Sequence, residues 1–194
     1  MTGRTHDLAA FTGLVIAFVY APAIPAMSLE TVVIALGANF IGGLFPDIDQ
    51  PTSDFWDNFR LGPFVAKIIV PALGGHRHIS HSFFGLVIIG LGSSFLLDWI
   101  LPFILLNINA EVVWISFMIG VVSHIVTDLT TKAGVPLLWP FDWKFGIPPM
   151  KSLRIVTGKF VEKWVIFPAL LFVTGYLLFQ HQDKVLLFIH RYVR

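Results

Sequence analysis

The sequence predicts an all-α fold, a polytopic membrane bundle of about five transmembrane helices with one re-entrant or interfacial helix at residues 63–73. The 194-residue chain is 56% hydrophobic and only 13% charged, and its mean hydropathy is +0.79. Its long apolar stretches approach the roughly 20 residues that cross a hydrocarbon core of about 30 Å. These observations place the chain in the membrane class, although its length alone would suit one soluble domain.

The candidate spans are five apolar stretches, at residues 8–22, 29–45, 83–106, 112–129 and 164–179. The first is the weakest, because it is short and ends in "APAIPA", where Pro22 and Pro25 stop a helix. The small residues there are also typical of a signal-peptide cleavage region, but the basic start is too weak for cleavage to be expected. Ser82 is the expected N-cap of the third span.

The segment "PFVAKIIVPAL" at residues 63–73 is apolar but has a length of only eleven residues and carries Lys67 in its middle. Such a piece suits a re-entrant or interfacial helix better than a span. We expect one membrane-embedded helical domain over residues 1–180 and an amphipathic carboxyl-terminal tail over residues 181–194.

The basic residues predict the orientation of the bundle. With five spans, ten of the thirteen lysines and arginines lie on one side, and Lys184, Arg191 and Arg194 lie on the other. By the positive-inside rule the first side is cytoplasmic, so we expect a multi-pass protein of the inner (plasma) membrane with a cytoplasmic amino terminus. The cytoplasmic set is Arg4, Arg60, Lys67, Arg77, Lys132, Lys144, Lys151, Arg154, Lys159 and Lys163.

Composition also excludes several kinds of site and partner. The chain has no cysteine, so it has no disulfide, no thiolate nucleophile and no zinc-thiolate site, and any metal must be held by nitrogen and oxygen ligands. The net charge of +1 argues against a nucleic-acid partner, which would require a concentrated basic face.

Polar motifs from four different spans arrive at the same predicted membrane face. His6 lies at the cytoplasmic entry of the first span, and "PDID", with Asp47 and Asp49, follows the second. The stretch "HRHISHS" at residues 76–82 precedes the third span, and "SHIVTD", with His124 and Asp128, ends the fourth. Ionisable groups at membrane depth are costly and usually functional, so this convergence predicts a metal site.

The spacing of these residues suits metal binding. His124 and Asp128 are four apart, so on a helix they share one face and can bind one ion together. Asp47 and Asp49 are two apart, so in an extended loop one can be a ligand while the other orients a histidine. Mixed imidazole and carboxylate ligands favour Zn²⁺, with Mn²⁺ or Fe²⁺ as rivals, and the number of candidate ligands favours two or more ions.

Taken singly, each residue has a simpler explanation. A histidine near an amino terminus is often solvated, an aspartate beside a proline often forms a turn, and a polar residue inside a bundle often joins two helices by a hydrogen bond. The convergence at one face favours the metal site over these alternatives. His181 and His190 lie on the opposite side and are not included.

The order of the motifs "TH", "FPDIDQP", "HR" with "SHS", and "SHIVTDLTT" resembles that of the YdjM-like membrane-bound metal-dependent hydrolases. The resemblance covers about residues 1–145. The family is distantly similar to zinc-dependent phospholipase C and the S1/P1 nucleases, helical proteins whose clustered zinc ions cleave phosphoesters. The resemblance therefore implies a helical membrane protein with hydrolytic activity.

The resemblance also implies roles for individual residues. Arg77 would neutralise a phosphate, and Asp47 or Asp49 would act as general base. His78 stands where the family often has another residue, so it is not expected to be a ligand. Arg154 lies in residues 146–163, outside the resemblance; an arginine there could hold a phosphate, but solvated charge at the interface explains it better. The implied metal ligands are His6, Asp49, His76, His81, His124 and Asp128.

The expected function is hydrolysis of a phosphoester in a lipid or lipid-linked substrate, with Asp47, Asp49 and Arg77 as the catalytic residues. A phosphohistidine lipid phosphatase is disfavoured because "PSGH" is missing, and a zinc metalloprotease because no H-E-x-x-H occurs. A metal transporter or sensor could use the same ligands, but transport sites usually lie near the midplane of the bilayer. The oligomeric state stays open.

Overall fold

The computed structural model of the chain describes residues 1–25, 27–51, 53, 56, 62–72, 79–141 and 143–192. In these residues the β-type pairing consists of two isolated bridges, between Thr131 and Ile155 and between Val135 and Phe145. The fold is therefore all-α, as predicted. The α-helices are α1 (Gly3–Tyr20), α2 (Leu29–Leu44), α3 (Gly62–Ala72), α4 (Phe83–Ile100), α5 (Ala110–Leu129), α6 (Phe167–Gln180) and α7 (Gln182–Tyr192).

Shorter helical segments extend or join these elements. The 3₁₀ helices are Phe45–Asp49, Ile79–His81, Leu101–Phe103 and Lys151–Leu153, and a π-helical turn, Glu162–Ile166, leads into α6. The sequence argument treated the residues around Asp47 and Asp49 as an extended loop. The structure instead continues α2 as a 3₁₀ helix through both aspartates.

The described part of the chain has four candidate membrane-spanning helices. Each is long and apolar enough to cross a bilayer: Leu29–Asp49, Phe83–Phe103, Ala110–Leu129 and Glu162–Gln180. The predicted count of five spans with one re-entrant helix is therefore not confirmed. The helix α1 has 18 residues but carries Arg4, His6 and Asp7 in its first two turns. The 11-residue α3 is too short to cross, and its re-entrant or interfacial placement stays a prediction.

The helix α1 nevertheless runs between the same two ends of the bundle as the spans. Near its start, the His6 ring stacks on His124 of α5, with ring centroids 3.7 Å apart. At its other end, Lys184 Nζ donates to the carbonyl oxygens of Val19 and Ala21 at 2.9 and 2.8 Å. We call the end that contains His6 and His124 the polar end. Here α1, α4 and the last span begin, and α2 and α5 end.

Close contact between α2 and α5 forms the centre of the bundle. A methyl group added at Gly120 would lie 2.2 Å from the carbonyl oxygen of Asn39, and one added at Gly42 would lie 2.1 Å from that of Phe117. Asn39 Nδ2 also donates to the carbonyl oxygen of Ser116 at 2.9 Å. Small residues thus let the two backbones touch, as in other membrane helix pairs.

Side-chain caps fix where the spanning helices begin. Ser28 accepts from Thr31 N at 3.2 Å at the start of α2, and Asn109 accepts from Val112 N at 3.2 Å at the start of α5. Ser82 accepts from Gly85 N at 2.9 Å, which confirms the predicted N-cap of the third apolar stretch. The cap fixes the residue before it, His81, at the polar end.

An irregular segment links α5 to the last span. Lys132 N donates to the carbonyl oxygen of Ile155 at 2.9 Å, and Arg154 donates through Nε and a terminal nitrogen to the carbonyl oxygens of Pro148 and Pro149 at 2.8 and 3.0 Å. The Arg154 guanidinium therefore holds this segment together, which argues against the phosphate-binding role that the sequence allowed.

The carboxyl-terminal helix α7 packs against the far end of α1. Phe188 makes an edge contact with Phe18, with ring centroids 5.2 Å apart, and Lys184 caps the last carbonyl groups of α1. The division into a domain of residues 1–180 and a tail of residues 181–194 stays a prediction, and Val193 and Arg194 lie outside the described residues.

Candidate metal centre

Five of the predicted site residues meet at the polar end. His6 comes from α1, Asp47 from the 3₁₀ helix after α2, His81 from the segment before α4, and His124 and Asp128 from α5. Ligand atoms of His6, Asp47 and His124 lie within 4.8 Å of one another, and so do those of His81, His124 and Asp128. All five side chains are buried except Asp47, which is 16% exposed.

Four of these ligand atoms surround one point. His81 Nε2 lies 3.3 Å from His124 Nε2. Asp47 Oδ1 is 3.7 and 3.6 Å from these two nitrogens, and Asp128 Oδ2 is 3.8 and 4.0 Å from them. A tetrahedral zinc ion with bonds of about 2.0–2.2 Å holds its ligand atoms about 3.3–3.6 Å apart. These five separations are therefore close to the spacing that such an ion imposes.

The hydrogen bond of His124 on its other ring nitrogen directs Nε2 to this point. Its Nδ1 lies 2.6 Å from the carbonyl oxygen of Gly43. A carbonyl oxygen only accepts, so Nδ1 carries a hydrogen, and the neutral form of the ring presents a lone pair at Nε2. A backbone carbonyl on the second nitrogen is the usual support of a metal-binding histidine.

His81 is oriented by Ser80 and Asp49. Its Nδ1 lies 2.8 Å from Ser80 Oγ and 3.4 Å from Asp49 Oδ2, and the Ser80 hydroxyl donates to the same carboxylate oxygen. The hydrogen on His81 is therefore assigned to Nδ1, and Nε2 faces His124. Burial lowers the pKa of His81 below its usual value, which favours the neutral ring that a metal requires.

His6 is oriented in the same way by Thr127. The Thr127 hydroxyl donates to the carbonyl oxygens of Ser123 and His124 at 3.0 and 2.8 Å, so it accepts from His6 Nδ1 at 3.0 Å. His6 Nε2 then faces Asp128 Oδ1 at 3.5 Å. All three histidines thus present the same ring atom, Nε2, to the carboxylates.

Comparison with known proteins identifies the family. The profile of the YdjM inner membrane protein family matches residues 1–185. The chain belongs to this family. The resemblance that the motifs indicated is confirmed to that extent, while the distant similarity to phospholipase C and the S1/P1 nucleases stays a prediction.

Individual members of the YdjM family align over different lengths. The inner membrane protein YdjM of Escherichia coli (strain K12) is 36% identical over 126 residues, which cover 63% of this chain and 56% of that protein. The Shigella flexneri protein of the same name gives the same values. The YvsG protein of Bacillus subtilis (strain 168) is 30% identical over 167 residues, 86% of this chain and 88% of the relative. No solved structure matches the chain significantly.

The donor set of this YdjM-family chain fits a metal ion. In their neutral forms the three imidazoles offer acceptor nitrogens beside the Asp47 and Asp128 carboxylates, and such a set suits a cation in addition to the α-ammonium group of Met1 at Asp128 Oδ1. Nitrogen and oxygen ligands in this mixture suit Zn²⁺, with Mn²⁺ or Fe²⁺ as alternatives. The identity of the metal and the presence of two or more ions stay predictions.

In the described contacts, Asp49 orients His81 and does not face the other candidate ligands. Its side chain is fully buried and contacts Ser80 and His81 Nδ1, on the far side of the ring from Nε2. The sequence predicts both a ligand role and a catalytic role for Asp49, and both stay predictions. Its position matches the alternative that one of the two aspartates orients a histidine.

Two predicted site residues of this family member, the ligand His76 and the catalytic Arg77, lie outside the described residues, as does His78. Their roles therefore stay predictions. His181 lies at the opposite end of the bundle, where its Nδ1 contacts the carbonyl oxygen of Leu177 at 3.0 Å, which agrees with its omission.

A buried carboxylate that the sequence argument missed holds the amino-terminal segment. Glu162 Oε1 accepts from Thr2 N and Thr2 Oγ1, each at 2.7 Å, and from Thr5 Oγ1 at 2.8 Å, and Oε2 accepts from Gly158 N at 2.7 Å. The same segment places the α-amino group of Met1 2.5 Å from Asp128 Oδ1. A lone glutamate at the start of an apolar stretch was the available signal.

Proposed function

We propose that the chain is a membrane-embedded, metal-dependent hydrolase that cleaves a phosphoester of a lipid or lipid-linked substrate at the cytoplasmic face. Four acceptor atoms carry this proposal: Nε2 of His81 and His124, which are 3.3 Å apart, and Oδ1 of Asp47 and Oδ2 of Asp128, each of which lies 3.6–4.0 Å from both nitrogens. A metal ion bound there would lower the pKa of water to about 7 and stabilise negative charge on the attacking and leaving oxygens.

A purely structural role explains this arrangement less well. Buried polar groups that only join helices pair donors with acceptors, because an unmatched acceptor costs about 1–3 kcal/mol. Here the donor nitrogens of His81 and His124 are used on Ser80 and on the Gly43 carbonyl, and their acceptor nitrogens face each other. The support of each ring therefore favours a bound cation between them.

The two aspartates differ in access. Asp47 is 16% exposed at the edge of the cluster, whereas Asp49 is fully buried against Ser80 and His81. Asp47 is thus the better candidate to take a proton from water, through the carboxylate oxygen that is not one of the four acceptor atoms, and Asp49 to hold His81 in place. Arg77 remains the proposed holder of the phosphate charge, four residues before His81 in the chain.

The position of the centre favours a lipid substrate. Asp47 lies in the last turn of one candidate span, Asp128 near the end of another, and His81 just before a third. Side chains at the ends of spans are at the depth of lipid head groups, where phosphoesters lie. A transport site would be expected nearer the middle of the helices.

The first test measures metal. The chain is purified without chelator and its metal content determined by elemental analysis, for the wild type and for His124→Ala and Asp128→Asn. We expect stoichiometric metal in the wild type and loss of most of it in both variants. His181→Ala, a histidine at the opposite end, is the matched control and should keep its metal. A wild-type chain without bound transition metal would exclude the proposal.

The second test measures chemistry. Metal-loaded protein is incubated with a lipid extract, and mass spectrometry follows the loss of phosphate-containing head groups, with Asp128→Asn as the control. We expect products with the wild type alone. Metal uptake into proteoliposomes without any change in the lipids would instead identify a transporter that uses the same ligands.

A further inference from the structure

We propose that an apolar cleft between α2 and α4 binds one acyl chain of a membrane lipid whose polar head lies at the metal centre. This inference rests on the proposed function, for which it specifies the substrate as a lipid bound by its tail as well as its head.

The cleft has the size and lining of a ligand site. Its volume is about 550 Å³, within the usual range for small-molecule sites. Ala38 and Ile41 of α2 form one wall, Ile88 and Leu96 of α4 form the other, and Phe117 of α5 closes the floor. An apolar lining of this kind in a membrane helix bundle suits hydrocarbon and offers little to a polar ligand.

Small residues on α4 leave this space open. Gly92 and Ser93 line the cleft, and a methyl group added at Gly92 would meet no atom within 4 Å. On its other side α4 is held to α5, where Trp114 Nε1 donates to the carbonyl oxygen of Gly90 at 2.9 Å. Because α4 is fixed to α5 on one side, the space between α4 and α2 is a feature of the packed helices and does not result from an unattached α4.

One end of the cleft reaches the metal centre. Ser80 lines the cleft, and its hydroxyl donates to Asp49 and lies 2.8 Å from His81 Nδ1. Phe45 and Ile48, the neighbours of Asp47 in the 3₁₀ helix, line it as well. A ligand that fills the cleft would therefore place a hydrocarbon chain along the helices and a polar group beside Asp47 and Asp49. An amphipathic lipid has this combination.

The length of the cleft matches one leaflet. It runs along α4 from Gly85 to Leu97, about 18 Å at 1.5 Å per residue, and half of a hydrocarbon core is about 15 Å thick. One acyl chain in this cleft would therefore reach from the head-group region to about the midplane of the bilayer.

The test fills the cleft. A phosphatidylglycerol with a diazirine near the end of one acyl chain is incorporated with the full-length protein into phosphatidylcholine vesicles, and the labelled positions are mapped by mass spectrometry. We expect labels concentrated on Leu96, Leu97 and Val113, at the end of the cleft away from the metal centre, in the wild type. Gly92→Leu should reduce this labelling about tenfold, the discrimination that one methylene in an apolar pocket gives.

The matched control is Gly175→Leu on α6, because a side chain there also meets no atom within 4 Å but lies outside the cleft. It should label as the wild type does. Retention of metal shows that a variant is folded, and Ser93→Leu replaces Gly92→Leu if the latter loses its metal. Equal labelling of the outward-facing Phe95 and Phe172, or labelling unchanged by both cleft variants, would overturn the proposal.

Two further outcomes separate this inference from its alternatives. The chain has no cysteine, so Leu96→Cys tests a second copy directly, and efficient disulfide-linked dimers would overturn the acyl-chain assignment. If the wild type labels in the cleft but releases no head group, the proposed hydrolase activity fails and the lipid site stands. If head groups are released but labelling is indiscriminate, the lipid site alone fails.

Discussion

Glu162 is the residue on which the geometry around His6 depends. Its carboxylate binds Thr2 and Thr5 on one side and the backbone of Gly158 on the other, so it joins the start of the chain to the start of the last span. His6 follows Thr5 directly. The position of this ligand is therefore set by a contact with a part of the chain more than 150 residues away.

We expect Glu162→Gln to weaken metal binding without removing any ligand. An amide cannot accept all four hydrogen bonds, and an unsatisfied buried donor costs about 1–3 kcal/mol. Loss of such outer support commonly costs about 10–100-fold in metal affinity. Competition with a graded chelator measures the change. Glu111→Gln, an exposed glutamate at the other end of the bundle, is the control, and equal affinities for the two variants would contradict this role.

The residues that meet in the candidate centre could be predicted from the sequence, but most of their supports could not. The sequence predicts His6, His81, His124 and Asp128 as ligands and Asp47 as a catalytic residue, because these residue types have metal chemistry and follow a specific order of motifs. The Gly43 carbonyl that orients His124 has no signature in the sequence, because every residue carries a carbonyl group. Glu162 follows a long irregular segment, and no periodicity indicates that it returns to the amino terminus.

At the scale of elements, the contact between α2 and α5 determines where His124 lies relative to Gly43. The backbones touch at Gly42 and Gly120. Gly42 directly precedes Gly43, and Gly120 lies about one turn before His124. A side chain at either glycine would meet backbone atoms, which cannot move aside as a flexible side chain can. The geometry of the centre therefore depends on the absence of two methyl groups.

We expect Gly120→Ala to separate α2 from α5 and to lower both thermal stability and metal retention. Overpacking a tight contact typically costs about 1–3 kcal/mol. Thermal unfolding in detergent and elemental analysis measure the two effects. Gly37→Ala on α2 is the control, because a methyl group there meets no atom within 4 Å and alanine favours a helix. Normal metal retention in Gly120→Ala would show that the centre tolerates movement of these helices.

Some boundaries of the helices could be predicted from the sequence, and others could not. Apolar stretches at residues 83–106, 112–129 and 164–179 correspond to observed helices, because hydrophobic length is a strong signal in lipid. The run of prolines after the first stretch correctly marked the end of α1, which stops at Tyr20. The 3₁₀ form of Phe45–Asp49 did not follow, since short helical extensions depend on contacts made after folding.

At the scale of the whole molecule, the convergence of four chain segments at one end was predictable from counting crossings. Helices that alternate in direction bring the ends of α2 and α5 to the same face as the starts of α4 and the last span. The number of crossings was less certain, because α1 combines a length of 18 residues with three ionisable side chains near its start.

We expect residues 151 and 183 to lie on opposite sides of the membrane, with residue 151 in the cytoplasm. The excess of lysine and arginine on the side of the metal centre gives this orientation. Since the chain has no cysteine, Lys151→Cys and Asp183→Cys can be labelled singly with a membrane-impermeant maleimide on intact and on permeabilised cells. Labelling of both positions in intact cells would contradict a crossing by Glu162–Gln180, and a reversed pattern would contradict the orientation.

The bond between Glu162 and the amino-terminal threonines also sets an order of assembly during synthesis. The ribosome makes His6 first, then Asp47, His81, His124 and Asp128, and it reaches Glu162 only after a further irregular segment. A nascent chain that has just inserted α5 contains every described candidate ligand. It does not yet contain Glu162, the carboxylate that accepts the hydrogen bonds of Thr2 and Thr5. The geometry of the centre is therefore completed only when the last span enters the bilayer.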